Sequence, residues 1–250
     1  MVFIPLSDEN PLRTIRFQWV TISLIALNVA IFIWQSGGGG QTAAASFALI
    51  PTELFQVRIF GGPAHGVYDA FYVPTGYGLL SYWFGGGIPE GFTLLSYMFL
   101  HGDIIHLASN MLFLWVFGDN VEDAMGHVKY LVFYVACGVA GALAHAFMLP
   151  ASTLPLIGAS GAVAGVIAAY LILHPRVLVW VLVFRFIPLK ISAAWVLGAW
   201  VATQLLMVVF DQPNQVAWWA HIGGLVAGAV LIVFMRRPGL PLFDRRGTPS

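Results

Sequence analysis

Charge is the scarcest commodity in this chain of 250 residues: 9% of them are Asp, Glu, Lys or Arg, against about 25% in an ordinary soluble domain. Too little charge is present to face water on every side. With 59% hydrophobic residues and a mean hydropathy of +0.84, the chain reads as a membrane protein. Cysteine is nearly missing. The one thiol, Cys137, lies inside an apolar segment, which rules out an internal disulfide and a thiolate metal site. The net charge is zero and no basic stripe carries interleaved aromatics, so nucleic acid is not an expected partner. The histidines lack the close spacing of metal ligands, and no cofactor or nucleotide signature is present. No repeat relates the two halves, which argues against a transporter built from duplicated bundles. No small-residue cleavage site follows the first apolar run, which therefore reads as a retained span rather than a leader.

What is abundant is apolar sequence broken at membrane-like intervals. Spans are expected at residues 17–34, 104–121, 128–148, 157–173, 191–210 and 216–235. Asp103 is placed to cap the second. The fourth stops before His174-Pro175, because the residue ahead of a proline disfavours helix. Between the first two spans runs a glycine-rich connection, residues 35–91, whose aromatic patches at 47–60 and 77–84 suit short helices lying in the headgroup layer. The apolar stretch 177–186 is taken as a connection at the inner face. The expected fold is thus all-α and polytopic: a six-transmembrane-helix bundle with a long, partly membrane-embedded first loop. Residues 1–16 form a cytoplasmic N-terminal segment, 17–235 the membrane domain and 236–250 a cytoplasmic basic tail. This topology puts Arg13, Arg16, Lys129, Arg176, Arg185, Lys190, Arg236, Arg237, Arg245 and Arg246 inside and only Arg58 outside, a bias that fixes orientation.

Polar residues of the second, fourth and sixth spans then fall at one depth. His106 and Asn110, spaced i and i+4, project from one helix face. Ser160 opens a run of glycines and alanines, residues 158–169, that lets helices approach closely. His221 precedes Gly224 and Gly228, whose spacing gives a small face to lie against Gly161, Gly165 and Ala168. Each has an ordinary reading as well: a membrane serine commonly bonds the carbonyl one turn back, and Asn or His commonly bonds across to a neighbouring helix. The coincidence of depth favours a site. An imidazole beside Ser160 would activate its hydroxyl, and His106, Asn110 and the Ser160 N–H are available to an oxyanion. His101 is expected to hold backbone ahead of the second span and His145 to be structural, while His65, His127 and His174 fall in loops or termini. A fourth span of about 17 residues is roughly 25 Å long, shorter than a hydrocarbon layer of roughly 30 Å, which implies a well open to water above Ser160.

Three motifs, His101-Gly102-Asp103-Ile104-Ile105-His106 with Asn110, Gly158-Ala159-Ser160-Gly161 and Ala220-His221-Ile222-Gly223-Gly224, give the chain its resemblance to the rhomboid intramembrane serine proteases. The resemblance implies a Ser-His dyad with no third carboxylate: Ser160 as nucleophile, His221 as general base and then acid, and His106 with Asn110 lining the oxyanion hole. It implies single-span membrane proteins as substrates, the lipid bilayer as setting, and no cofactor or metal. The expected location is a bacterial plasma membrane, with both termini cytoplasmic and the site opening outward. A proteolytically inactive rhomboid-like protein that binds clients' transmembrane helices is the alternative. Substrate identity and oligomeric state leave no mark in the sequence. Two positions depart from the family. Phe92-Thr93 replace its frequent Trp-Arg pair, and Ala164 stands where some members have a tyrosine stacked on the catalytic imidazole. The resemblance therefore does not explain how His221 is held.

Overall fold

Apolar helices without water around them must satisfy their backbone internally and pack by close contact, and the computed structural model shows how this chain does both. It describes residues 3–37, 46–59, 90–183, 186–210 and 217–244. The expected patch at 77–84, His65, Arg185 and the tail arginines Arg245 and Arg246 lie outside them. The elements in order are β1 (Phe3–Asp8), α1 (Trp19–Ser36), α2 (Pro51–Ile59), α3 (Glu90–Ser96) running into a 3-10 turn (Tyr97–Phe99), α4 (Ile104–Met125), α5 (His127–Met148), α6 (Ser160–Leu173), β2 (Leu178–Val183), β3 (Ile187–Ser192), α7 (Ala193–Phe210) and α8 (Trp218–Met235). Among the described residues α1, α4, α5, α7 and α8 are long and apolar enough to cross a bilayer, and α6 is a shorter apolar helix. The protein is a polytopic helical membrane protein.

Helix α6 is the buried centre: from Gly161 to Tyr170 every residue is shielded from the surroundings. It is also where helix contacts are closest. A Cβ on Gly224 of α8 would collide with the Gly161 carbonyl oxygen, and one on Gly228 with that of Gly165. The expected contact between the small faces is therefore observed. Helix α5 joins it, since a Cβ on Gly141 would lie 2.6 Å from the Ala220 carbonyl oxygen.

Three features differ from expectation. First, α6 begins at Ser160 rather than 157. Leu156 is held by a two-way backbone bridge to Leu49 (3.2 and 2.7 Å), and Gly158 has φ +119°, so neither continues a helix. Second, α4 runs past 121 to Met125, because the carboxylates of its last turn are engaged by other parts of the chain. The buried Glu122 accepts from Val20 N (3.0 Å), Thr21 N (2.8 Å) and Thr21 Oγ1 (2.6 Å), doing for α1 what a helix-capping side chain does. Asp123 accepts from the N–H groups of Arg13, Thr14 and Ile15 at 3.0, 2.7 and 2.6 Å. Arg237 closes the same end, its N–H donating to the Ala124 carbonyl (2.8 Å) and its Nε–H to that of Asp123 (3.0 Å).

Third, the segments expected as a polar N-terminus and an inner connection form a three-stranded antiparallel sheet in the order β1-β2-β3. In β2 the alternate residues Val179, Val181 and Val183 are buried, the period of two that marks a half-buried strand. Asp8 ends β1 at the bundle, accepting from Tyr170 O–H (2.5 Å) on α6 and Asn120 Nδ2 (3.1 Å) on α4.

Candidate active site

Helices α4, α6 and α8 bring their polar residues together at the end of the bundle opposite the sheet. Ser160 is the first residue of α6 and half-buried, so its N–H is among the first-turn donors that a helix cannot pair internally. Its Oγ lies 2.8 Å from Nε2 of His221, in the first turn of α8. Gly224, one turn beyond His221, packs on Gly161, the residue next to Ser160, so the absence of side chains there sets this separation.

His106 and Asn110 stand over the turn leading into Ser160. A Cβ on Gly158 would come within 2.7 Å of His106 Nε2 and 3.8 Å of Asn110 Nδ2. The positive φ of Gly158 and this crowding together restrict the position to glycine. The turn is anchored from below by Gly158 N–H, which donates to the Tyr97 carbonyl (2.9 Å), while the buried Tyr97 O–H donates to the Gly138 carbonyl of α5 (2.7 Å). Asp103 caps α4 as expected, its Oδ1 accepting from Ile105 N (2.7 Å) and His106 N (2.8 Å). Those bonds hold its carboxyl below the usual range.

His101 departs from expectation. Its backbone is gripped by Gln35 of α1, whose Nε2 donates to the His101 carbonyl (2.5 Å) and whose Oε1 accepts from His101 N–H (3.2 Å). Its ring reaches the site, with Nε2 3.1 Å from Asn110 Nδ2 and the ring edge-on to His106 at 5.1 Å. Burial pushes the His101 imidazole down to about 4, with His106 adding to the effect. The ring is therefore neutral near pH 7, and its Nε2 accepts one Asn110 N–H while leaving the other free.

The remaining histidines are elsewhere. His127 Nδ1 pairs with Glu122 (2.5 Å) at the sheet end. His174 lies at the C-terminus of α6, its N–H donating to the Tyr170 carbonyl (2.7 Å). His145 is buried on α5, with Nδ1 unpaired among the described residues. No three His, Cys, Asp or Glu side chains gather as metal ligands among those residues.

What sequence reasoning missed is the support of His221. Gln204, buried on α7, places Oε1 2.8 Å from His221 Nδ1 and donates from Nε2 to the Trp200 carbonyl (3.0 Å). The rings of Trp200 and Trp218 flank the imidazole at 6.1 and 5.8 Å. Ala164, where a tyrosine might have stacked, belongs instead to a cluster of small and apolar residues against which Trp200 packs. The available signal was an amide in an otherwise apolar span, since such a group must find partners.

Comparison with known proteins adds family to geometry. A family model described as the Rhomboid domain matches residues 89–238. Rhomboid protease AarA of Providencia stuartii is 30% identical over 232 residues, covering 86% of this chain and 71% of that protein. RHOMBOID-like protein 6, mitochondrial, of Arabidopsis thaliana is 26% identical over 223 residues, 85% of this chain and 67% of its own length. Rhomboid protein 1, mitochondrial, of Saccharomyces cerevisiae is 30% identical over 142 residues, 53% of this chain and 38% of the yeast protein.

Proposed function

The chain belongs to the rhomboid family, and from that premise we propose that it is an intramembrane serine endopeptidase acting on single-span membrane proteins through Ser160 and His221. The observation that carries this reading is the 2.8 Å separation of Ser160 Oγ and His221 Nε2. A hydroxyl becomes a useful nucleophile when an imidazole takes its proton in the transition state. Ser160 Oγ attacks the scissile carbonyl carbon as its proton passes to Nε2. The carbonyl oxygen gains negative charge and receives hydrogen bonds from the free Asn110 N–H, His106 and the Ser160 N–H, aided by the positive end of the α6 dipole. The C–N bond then breaks, Nε2 returns the proton to the leaving amine, and water repeats the sequence on the acyl-enzyme.

Helix α6, with 14 residues, is about 21 Å long at 1.5 Å per residue. That is about 9 Å less than the roughly 30 Å hydrocarbon layer, which favours a site recessed in a water-filled well. The bias of basic residues supports termini in the cytoplasm and a well on the outer side, and a bacterial plasma membrane is the location we propose. Residues 17–235 are taken as the membrane domain, with 1–16 and 236–250 flanking it. Because relatives bear mitochondrial names, cell fractionation tests the location.

The decisive experiment uses full-length protein in proteoliposomes with a labelled single-span substrate and a serine-directed fluorophosphonate. The wild type should cleave the substrate and take the label at Ser160, and Ser160→Ala should do neither while remaining folded. A folded wild type that binds such helices without cutting them would establish the inactive, client-binding alternative.

A further inference from the structure

We propose that Gln204 is a positioning residue of this reaction, its side-chain carbonyl holding His221 in the tautomer whose Nε2 is free to take the Ser160 proton. The inference rests on the protease reading above and supplies what the dyad lacks, a group that selects the tautomer and orientation of the base.

Helix α7 makes Gln204 conspicuous. Of its 18 residues only Ala193, Val196, Leu197 and Gln204 are buried, and Leu205, Leu206, Val209 and Phe210 are exposed. The one amide on this apolar helix thus faces inward. A buried amide without partners is costly, and both ends of this one are engaged. The partner at Nε2 is the backbone carbonyl of Trp200 (3.0 Å). A carbonyl can only accept, so the amide atom facing it must be the NH2 group. This chemistry fixes which way the side chain is flipped. Oε1 therefore faces His221 Nδ1 at 2.8 Å, and because Oε1 also only accepts, Nδ1 must carry the hydrogen. A neutral imidazole has one N–H, so Nε2 presents its lone pair to Ser160 Oγ at 2.8 Å. The links from Trp200 carbonyl to Gln204, His221 and Ser160 all run in one proton direction. The opposite tautomer would set the lone pair of Nδ1 against Oε1.

The same residue that anchors the amide also borders the ring: Trp200 approaches His221 at 6.1 Å with its plane tilted by 37°. Trp218 stands nearly perpendicular on another side. These rings restrict the imidazole plane and offer no acceptor to Nδ1, so tautomer selection falls to Gln204. Among the described residues, the other ionisable side chains whose charge reaches His221 are His106 on α4 and His145 on α5. Neither brings a carboxylate that could replace the amide. A purely structural glutamine bonding back one turn needs only its NH2 group; here the carbonyl end is committed as well. During turnover Nδ1 keeps its proton while Nε2 gains and loses one, so the carbonyl dipole of Gln204 faces the transient imidazolium.

The test measures kcat and KM across pH for full-length wild type, Gln204→Leu and Gln204→Glu in proteoliposomes, with fluorophosphonate labelling of Ser160 in parallel. Gln204→Leu should lose roughly 10²-fold or more in kcat and in labelling rate, with KM changed less than about twofold, because the lost interaction serves the reacting state. Gln204→Glu keeps an acceptor facing Nδ1 and should restore kcat to within about tenfold of wild type. It should also move the acid limb of the kcat profile to higher pH, since an anion beside the ring favours the imidazolium, a shift a merely structural side chain would not produce. A folded Gln204→Leu protein with wild-type kcat would overturn the inference alone. So would a Gln204→Glu profile superimposable on the wild type, whatever becomes of the leucine variant. A folded wild type that neither cleaves nor takes the label removes the protease reading and this inference together.

Discussion

At the scale of single residues, the candidate site separates groups with a chemical motif from groups that serve them. Ser160, His221, His106 and Asn110 were legible because spacing and small neighbours bring them to one depth. Their helpers were not. Gln204 comes from a helix with no motif, and the His101 ring is recruited by a fold-back that spacing does not reveal. Asn110 gives one N–H to His101 Nε2 (3.1 Å), and the proposed mechanism uses the other for the substrate oxyanion. Asn110→Ala is therefore expected to lower kcat by about 10²-fold while leaving residual activity, in line with loss of a single oxyanion donor. His101→Phe, which retains an aromatic ring but removes the acceptor, should give a smaller loss. Steady-state kinetics on the two variants and their double mutant checks both, and strict additivity of the losses would show that His101 does not act through Asn110.

At the scale of elements, the helices and most of their ends were readable, and the exceptions are the start of α6 and the end of α4. Length and apolarity reveal a span; its limits depend on partners contributed from elsewhere. The bridge from Leu49 to Leu156 and the φ of Gly158 shorten α6, while Glu122 and Asp123 lengthen α4 by accepting N–H groups more than a hundred residues away. The sheet stayed hidden because β1 is a short segment amid polar residues and β2 resembles the edge of a span. The α6–α8 contact, by contrast, follows directly from glycine spacing. Any side chain at Gly224 meets the Gly161 backbone, which cannot retreat without moving Ser160. Gly224→Ala is expected to destabilise by roughly 1–3 kcal/mol, typical of overpacking, and to impair cleavage. Gly224→Leu should be worse on both counts. Thermal unfolding in detergent, followed by circular dichroism, and the cleavage assay provide the readouts.

At the scale of the whole molecule, the two ends of the bundle are built differently. The Ser160 end is positioned by close backbone contact, whereas the sheet end is tied by carboxylates. Glu122→Ala would leave Val20 and Thr21 N–H groups without their acceptor, and a loss on the order of 2–4 kcal/mol is expected from two stranded donors. Urea or thermal unfolding of the variant measures it. Asp8 adds a pH dependence. Burial pushes its carboxyl up from an ordinary 3.8 to about 6, although the Tyr170 hydrogen bond opposes the shift. Between those values the folded chain holds a proton that the unfolded chain releases, so this contribution to stability is full below about pH 4 and lost as pH rises through 6. Unfolding free energies measured from pH 4 to 7 should show that slope in the wild type and a flatter one in Asp8→Asn.

The glycine seam joining α5, α6 and α8 also bears on how the protein responds to cold. Its cohesion is dispersion between backbones at short range, and separating the helices inside a bilayer would wet them with lipid tails rather than water. Little apolar hydration accompanies that separation, so the associated heat-capacity increment is small. Cooling, which weakens the association of greasy surfaces in soluble proteins, leaves the seam intact.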